Sequence, residues 1–348
     1  MFPLIVLGAA ALTVASLTPI VQSLGLKLGC VDQPNARKIH QQPIVRIGGV
    51  GIFAGTFLAW LLVGRLGLNA LDSSIFLGLL LGGLGFFATG LLDDLFNLSP
   101  FVRLGMQAIL SATVWSLGIR LEALPLPGLT AALPSWLSLL VTFLWLAGMA
   151  NAINWLDGMD GLAAGTTTVA AAVLAAMIWP LHPTMALMAL GLCGATLGFL
   201  KYNAAPARIF MGDGGSYFLG FALAALATIG LPANGSFTAT LLPFMALLIP
   251  VLDMTLVIGA RLGDRKSPFH PDQRHIHHRL MHAQLPKSTV VWCVYGLTLL
   301  SGLGAMALQH THAGWWLIGA TLALFTLTTR SLWPQPEITV ASLPSVSP

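Results

Sequence analysis

Residues 74–94 read SIFLGLLLGGLGFFATGLLDD, an apolar, glycine-bearing run that stops on the pair Asp93-Asp94. A second run, 136–153, closes into Asn151-x-x-Asn154-x-x-Asp157-Gly158-x-Asp160-Gly161. Each has the length of a bilayer-spanning helix, ~17–25 residues. A carboxylate at the end of such a segment is costly to desolvate, and two adjacent ones are costlier still. Only twelve acidic residues serve the 348-residue chain, and four of them stand in these two groups. Clusters of this kind bind a metal ion or move a proton, which favours a membrane enzyme or transporter over a scaffold.

The composition agrees with a life in lipid. Hydrophobic residues make up 56% of the chain and charged residues 8%, with a mean hydropathy of +0.83. A soluble domain of this size needs far more charge to cover its surface. The formal charge of +4 is spread over short loops between apolar runs, a pattern of membrane orientation and not of nucleic-acid binding. Cys30, Cys193 and Cys293 form no paired spacing for a disulfide framework or a cysteine zinc site. The expected fold is all-α, with about eleven spans near 3–25, 47–66, 74–92, 103–120, 136–153, 163–181, 184–201, 214–232, 239–260, 289–309 and 313–330. The first is read as a retained span and not a signal peptide, because no basic residue precedes it. Residues 1–330 then form a single transmembrane unit, and the Pro/Ser-rich 331–348 a disordered tail.

With this span order, one face receives Lys27, Arg37, Lys38, Arg46, Arg103, Lys201, Arg208, Arg261, Arg265, Lys266, Arg274, Arg279, Lys287 and Arg330, and the other only Arg65 and Arg120. Fourteen basic residues against two place the first face in the cytoplasm and the N-terminus outside. The chemistry-bearing residues converge on that same face. A transporter spreads polar groups through the midplane, whereas here Asp253 alone is expected inside a span, about seven residues from its cytoplasmic end. Asp253 reads either as a buried carboxylate bonded to a neighbouring helix or to Arg261, or as a functional group. The one-sided map favours an enzyme that takes a soluble substrate from the cytoplasm and a lipid substrate from the membrane.

Asp93 and Asn97 share a face if their helix continues one more turn. Asp213 stands in Phe210-Met211-Gly212-Asp213-Gly214-Gly215-Ser216, where glycines let backbone approach a ligand and the next helix would aim amides at an anion. Oxygen ligands of this hardness suit Mg2+ or Mn2+. Mg2+ usually completes its shell with phosphates, so phosphoryl transfer fits, with Arg37, Lys38, Arg46, Arg103, Arg274 and Arg279 to balance charge. The loop Ser267-Pro268-Phe269-His270-Pro271-Asp272-Gln273-Arg274-His275-Ile276-His277-His278-Arg279 interleaves histidines with arginines, favouring a phosphate-binding loop over a metal chelate or a headgroup patch.

Five motifs occur together in order: Asp32-Gln33-Pro34-Asn35-Ala36-Arg37-Lys38-Ile39-His40 leading to Gly48-Gly49, Asp93-Asp94-x-x-Asn97, Asn154-x-x-Asp157-Gly-x-Asp160-Gly161, Phe210-Met211-Gly212-Asp213, and His275-Ile276-His277-His278. Over roughly residues 30–280 the chain resembles the polyprenyl-phosphate N-acetylhexosamine-1-phosphate transferase superfamily, glycosyltransferase family 4. The resemblance implies transfer of a sugar 1-phosphate from a UDP-sugar to a polyprenyl phosphate with release of UMP. It also implies Mg2+ or Mn2+, a multi-pass place in the bacterial cytoplasmic membrane, and in some relatives a homodimer. Carried over by motif, Asp213 is the leading metal ligand with Asp94 beside it, and Asp93 deprotonates or orients the lipid phosphate. Asn154, Asp157, Asp160 and the histidines His275, His277 and His278 would line the nucleotide-sugar site, with Phe210 stacking on uracil. Lys38, Arg103, Arg274 and Arg279 are the phosphate-binding candidates.

A phosphate monoester has its second pKa near ~6, so a lipid phosphate is already largely dianionic at neutral pH and needs little help from a base. Positioning and charge neutralisation then supply most of the acceleration. Direct attack is favoured, with a covalent aspartyl-phosphate intermediate as the alternative. The form of the histidine loop resembles the branch that uses UDP-GlcNAc and undecaprenyl phosphate. Other UDP-aminosugars come next, then the UDP-muramyl-pentapeptide branch and the eukaryotic dolichol branch, with a secondary transporter as the different-class reading.

Overall fold

Inside a bilayer no water bonds the backbone, so each apolar run must satisfy its own amides and carbonyls and becomes a helix. The structure, a computed structural model, describes residues 1–32, 43–67, 72–124, 132–231, 237–270 and 272–330. The chain opens with α1 (Phe2–Lys27), the two-residue strands β1 (Val31–Asp32) and β2 (Ile44–Val45), α2 (Gly49–Gly67), α3 (Ser73–Phe96) and α4 (Pro100–Ser116). It continues through α5 (Ser135–Leu156), α6 (Leu162–Ile178), α7 (Pro183–Asn203) and α8 (Gly212–Gly230). It closes with α9 (Phe237–Ala246), α10 (Leu248–Gly263), α11 (Ile276–His282), α12 (Lys287–Leu308) and α13 (Gly314–Arg330). Every stretch read as a span is helical. Among the described residues α1, α3, α5, α7 and α12 are long and apolar enough to cross a membrane, a count of five. The bent pair α9–α10 makes a sixth if it is one span. The protein is a polytopic, mostly helical membrane protein.

Three local readings are corrected. The ninth stretch is not one helix, since α9 and α10 meet at 81°. Pro250 has no N–H to give the Ala246 carbonyl and its ring crowds that oxygen, so the ladder breaks where α9 ends. The all-α expectation gains a small antiparallel pair, Val31 opposite Val45 and Asp32 opposite Ile44. Asn97 does not continue α3: it caps the helix in the left-handed region at φ 50°, its N–H on the Asp93 carbonyl, so it shares no helix face with Asp93. Lys38 with Arg37, and the tail 331–348, lie outside the described residues.

The centre of the bundle is α8. Its residues are buried from Gly214 through Ala227, which is the signature of a helix packed on all sides. It lies against α3 and α5, while α7 packs on α1 and α6. Phe86 of α3 stacks on Phe221 of α8 with centroids 4.8 Å apart. Trp145 of α5 donates its indole N–H to the Ala224 carbonyl at 3.1 Å. Near its N-terminus α8 approaches α3 so closely that a Cβ on Gly90 would strike the Asp213 carbonyl and the Gly214 amide nitrogen.

That contact fixes where Asp213 stands. Gly90→Ala should therefore force α3 and α8 apart and destabilise the protein by about 1–3 kcal/mol or more. Gly105→Ala on α4, whose Cβ would meet nothing within 4 Å, is the matched control and should hold or slightly gain stability. Thermal unfolding of the detergent-solubilised variants checks both.

Candidate active site

The up-and-down course of the helices gathers the end of α3, the start of α4, the end of α5 and the start of α8 at one end of the bundle. Asp93 and Asp94, the last acidic residues of α3, are 5% and 6% exposed. Asp93 uses both oxygens: Oδ1 accepts the Leu98 N–H at 2.8 Å, and Oδ2 takes Arg103 Nη1 at 2.5 Å. Arg103 can reach because Ser99 caps α4 through the Val102 N–H, starting that helix one short turn beyond α3. The same Nη1 also bonds the Tyr217 hydroxyl at 3.0 Å, one helical turn beyond Asp213 on α8. The Asp93 and Asp213 carboxyl groups are close neighbours.

Asp94 accepts the N–H groups of Asp213 and Gly214, the latter at 3.0 Å. The first-turn amides of α8, expected to face a bound anion, are thus met by an internal carboxylate. Gly212 permits this by taking φ +69°, and a Cβ there would strike the Arg46 carbonyl and the Asp94 carboxylate. Arg46 donates its guanidinium to the Asp94 backbone carbonyl. The segment carrying Arg46 is zipped to the approach of α8: Phe210 N–H bonds the Val45 carbonyl, and Gly48 N–H the Phe210 carbonyl at 2.9 Å.

Asn154 links this acid cluster to open space. Its amide donates to Asp213 Oδ1 at 2.6 Å and to the Ser216 hydroxyl at 3.0 Å. Asn154 and Arg103 both line a cleft of about 320 Å³, whose walls also include Asp157, Trp155, His275, His277 and His278. Burial, then the Asp213, Asp94 and Asp160 carboxylates, push the half-buried Asp157 well above the usual carboxylate range. Asp160 and Phe210 are not among the residues lining this cleft. Asp160 instead accepts the Ala207 N–H at 3.0 Å, and Asn203 ties Gly161 to Ile209, so these residues lock the loop before Asp213.

The histidine loop forms the opposite wall. Arg261 of α10 holds it in a two-pronged pair with Asp272, at 2.9 and 3.0 Å, a third bond to the Pro268 carbonyl, and its guanidinium over the Trp155 ring. Burial alone would raise the Asp272 carboxyl, but Arg261 and the Arg274 N–H hold it below its ordinary value. Arg274 pairs with Asp264 and Asp272, and Arg279 donates to the Arg274 carbonyl, so both expected phosphate ligands are built into the loop's own framework. His277 is 1% exposed, and among the described residues neither ring nitrogen has a hydrogen-bond partner. Burial, then the neighbouring His278, pull it down to about 3, so it is neutral at physiological pH. Sequence reading missed Trp155, Asn203 and Tyr217. The last carries a legible signal, since it lies four residues past Asp213 and hence on the same face of α8.

Chemically, buried carboxylates that open through Asn154 and Arg103 onto a polar cleft combine fixed negative charge with a guanidinium able to meet an anion. The oxygen donors of Asp94 and Asp213 are hard ligands that fit Mg2+ or Mn2+. Among the described residues no group of three or more His, Cys, Asp or Glu forms a ready-made metal cage. Two carboxylates nevertheless match the usual habit of Mg2+, which takes one or two and completes its shell with water and substrate phosphates.

Residues 76–231 match glycosyl transferase family 4. Over 300 residues the chain is 34% identical to the probable undecaprenyl-phosphate N-acetylglucosaminyl 1-phosphate transferase of Bacillus subtilis (strain 168), covering 86% of this chain and 82% of that one. It is 33% identical over 311 residues to the decaprenyl-phosphate N-acetylglucosaminephosphotransferase of Mycolicibacterium smegmatis, covering 80% and 76%. It is 31% identical over 303 residues to the undecaprenyl-phosphate alpha-N-acetylglucosaminyl 1-phosphate transferase of Escherichia coli (strain K12), covering 82% and 78%. The chain belongs to glycosyl transferase family 4.

The buried, neutral His277 makes stability depend on pH. The unfolded histidine titrates at 6.5 and the folded one at about 3. Between these values the unfolded chain holds the extra proton. The contribution of His277 is therefore complete above pH 6.5 and is lost on acidification, by roughly 1.4 kcal/mol per unit once well below it. Asp157, with its raised carboxyl, works in the opposite direction, so the test is a difference. Lowering the pH from 7.5 to 5.5 should cost wild-type protein more thermal stability than His277→Phe protein.

Proposed function

We propose that the chain transfers GlcNAc-1-phosphate from UDP-GlcNAc to a polyprenyl phosphate, releasing UMP and starting a lipid-linked surface glycan. The observation that carries this reading is the pair of bridges, Asn154 to Asp213 and Arg103 to Asp93, through which a buried acid cluster meets the cleft. The activities for which the relatives are named agree with it. The protein sits in the bacterial cytoplasmic membrane with about eleven spans, its N-terminus outside and the cleft on the cytoplasmic side. The basic residues concentrated on that face support this orientation.

The donor occupies the cleft, with Asp157, His275, His277 and His278 around it. Phe210 remains the candidate for uracil from its place three residues before Asp213, although it stands outside the cleft lining. Asp94 and Asp213 would hold Mg2+, or Mn2+, which when bound neutralises phosphate charge and orients the diphosphate. Asp93 has both oxygens engaged, so it acts chiefly by holding Arg103, whose guanidinium lines the cleft where a phosphate would arrive. The dianionic lipid phosphate then attacks the sugar-bearing phosphorus directly. Rigid groups fixed before substrate arrives provide the acceleration.

Purified protein in detergent with undecaprenyl phosphate, Mg2+ and radiolabelled UDP-GlcNAc should move label into lipid and release UMP. Asp213→Asn should lower the rate at least about 100-fold, roughly 2.7 kcal/mol of barrier. Turnover with UDP-muramyl pentapeptide alone would overturn the sugar assignment.

A further inference from the structure

Asp253 has no task in the reading above, yet it is 4% exposed and both of its oxygens are committed. Oδ1 accepts the Ile276 N–H at 2.7 Å, and Oδ2 meets His275 Nδ1 at 2.8 Å. Ile276 opens α11, His275 is its N-cap residue, and the His275 side chain makes no capping bond of its own. A single carboxylate on α10 therefore starts α11 and grips the ring beside it. Val257 and Arg261, one and two turns further along α10, are also buried, and Arg261 seats the preceding loop through Asp272 and the Pro268 carbonyl. The His275 ring lies between Trp155, with centroids 5.5 Å apart, and a nearly parallel His277 ring at 6.0 Å. It lines the cleft. With Nδ1 engaged by Asp253, Nε2 is the ring nitrogen left to meet a ligand.

We propose that Asp253 is a positioning residue for the transfer reaction, fixing His275 so that Nε2 meets the nucleotide-sugar donor in the cleft. This rests on the function proposed above. Two alternatives for Asp253 are removed by the geometry. It is not the partner of Arg261, which is paired with Asp272, and a capping role alone would require only Oδ1. The second oxygen is what orients the imidazole and selects which nitrogen carries a proton.

Asp253→Asn separates the two jobs. The Ile276 N–H still requires an oxygen, so the side-chain amide is left facing Nδ1, to which it can only donate. The cap survives while the proton arrangement of the ring is reversed. The expected result is a donor KM about tenfold higher, an unchanged KM for polyprenyl phosphate and a near-native thermal midpoint. His275→Ala should raise the donor KM similarly, and the double variant should be no worse than either single one, because both act through one contact. Additive losses, or a D253N enzyme with native donor KM, overturn the inference. If D253N does not fold, His275→Ala alone decides, since an unchanged donor KM removes the proposed contact. Wild-type protein that turns over no UDP-GlcNAc overturns the functional reading, and this inference with it. Wild-type turnover with an unaffected D253N overturns the inference alone.

Discussion

A carboxylate from α3 closes the first turn of α8. Four amides at the start of any helix have no partner within it, and in lipid no water replaces one. Met211, the N-cap residue of α8, gives no side-chain bond, and Asp94 supplies the acceptor from the neighbouring helix. The bond draws the ends of α3 and α8 into backbone contact at Gly90. Once they touch, Asp213 has to lie beside Asp93, Asn154 can reach Asp213 from α5, and Arg103 can turn back onto Asp93 from α4. Asp93, Asp94 and Asp213 are each tied to a partner on another helix. The arrangement is rigid for that reason.

In the proposed reaction the same rigidity would serve chemistry. Phosphoryl transfer requires little covalent work from the protein and much fixed charge. Here the anionic cluster is held on stiff helix ends, and the opposite wall of the cleft is braced just as firmly by Arg261 and Asp272. The carboxylates and the arginine of the site stand at helix ends, away from the mid-bilayer depth at which they would be expensive.

Much of this was legible in the order of residues. The apolar runs marked the helices, because hydropathy measures the constraint that makes them helical. The Asp93-Asp94 pair and Asp213 were legible as a candidate site because carboxylates in an apolar chain are too expensive to be incidental, and the structure brings them together with Asn154. What sequence hid was division of labour within the cluster. Asp94 and Asp160 spend bonds on backbone amides that lie 120 and 47 residues away, and no local pattern reports contacts at such separation. The break between α9 and α10 was signalled by Pro250, but proline in a lipid-facing run is often tolerated, so the signal alone did not decide. The condition for Asn97 to share a face with Asp93 is not met, because α3 ends at Phe96 and Asn97 caps it in the left-handed region. Arg274 and Arg279, the expected ligands for phosphate, also bond within their own loop, a contact that composition cannot report.

The partnership of Asp94 with Gly214 also has a history in time. The two residues are 120 positions apart. At a synthesis rate of about 5–20 residues per second, roughly 6–24 s pass between the emergence of one and the other. During that interval α3 is already made, with the Asp94 carboxylate at its end and no α8 to receive it. It has to wait with that end in the aqueous headgroup layer, and the polar end of the bundle can be sealed only when the later helix arrives. The contact that closes the first turn of α8 therefore also imposes a schedule on the protein's birth, with the end of α3 among the last parts to leave water.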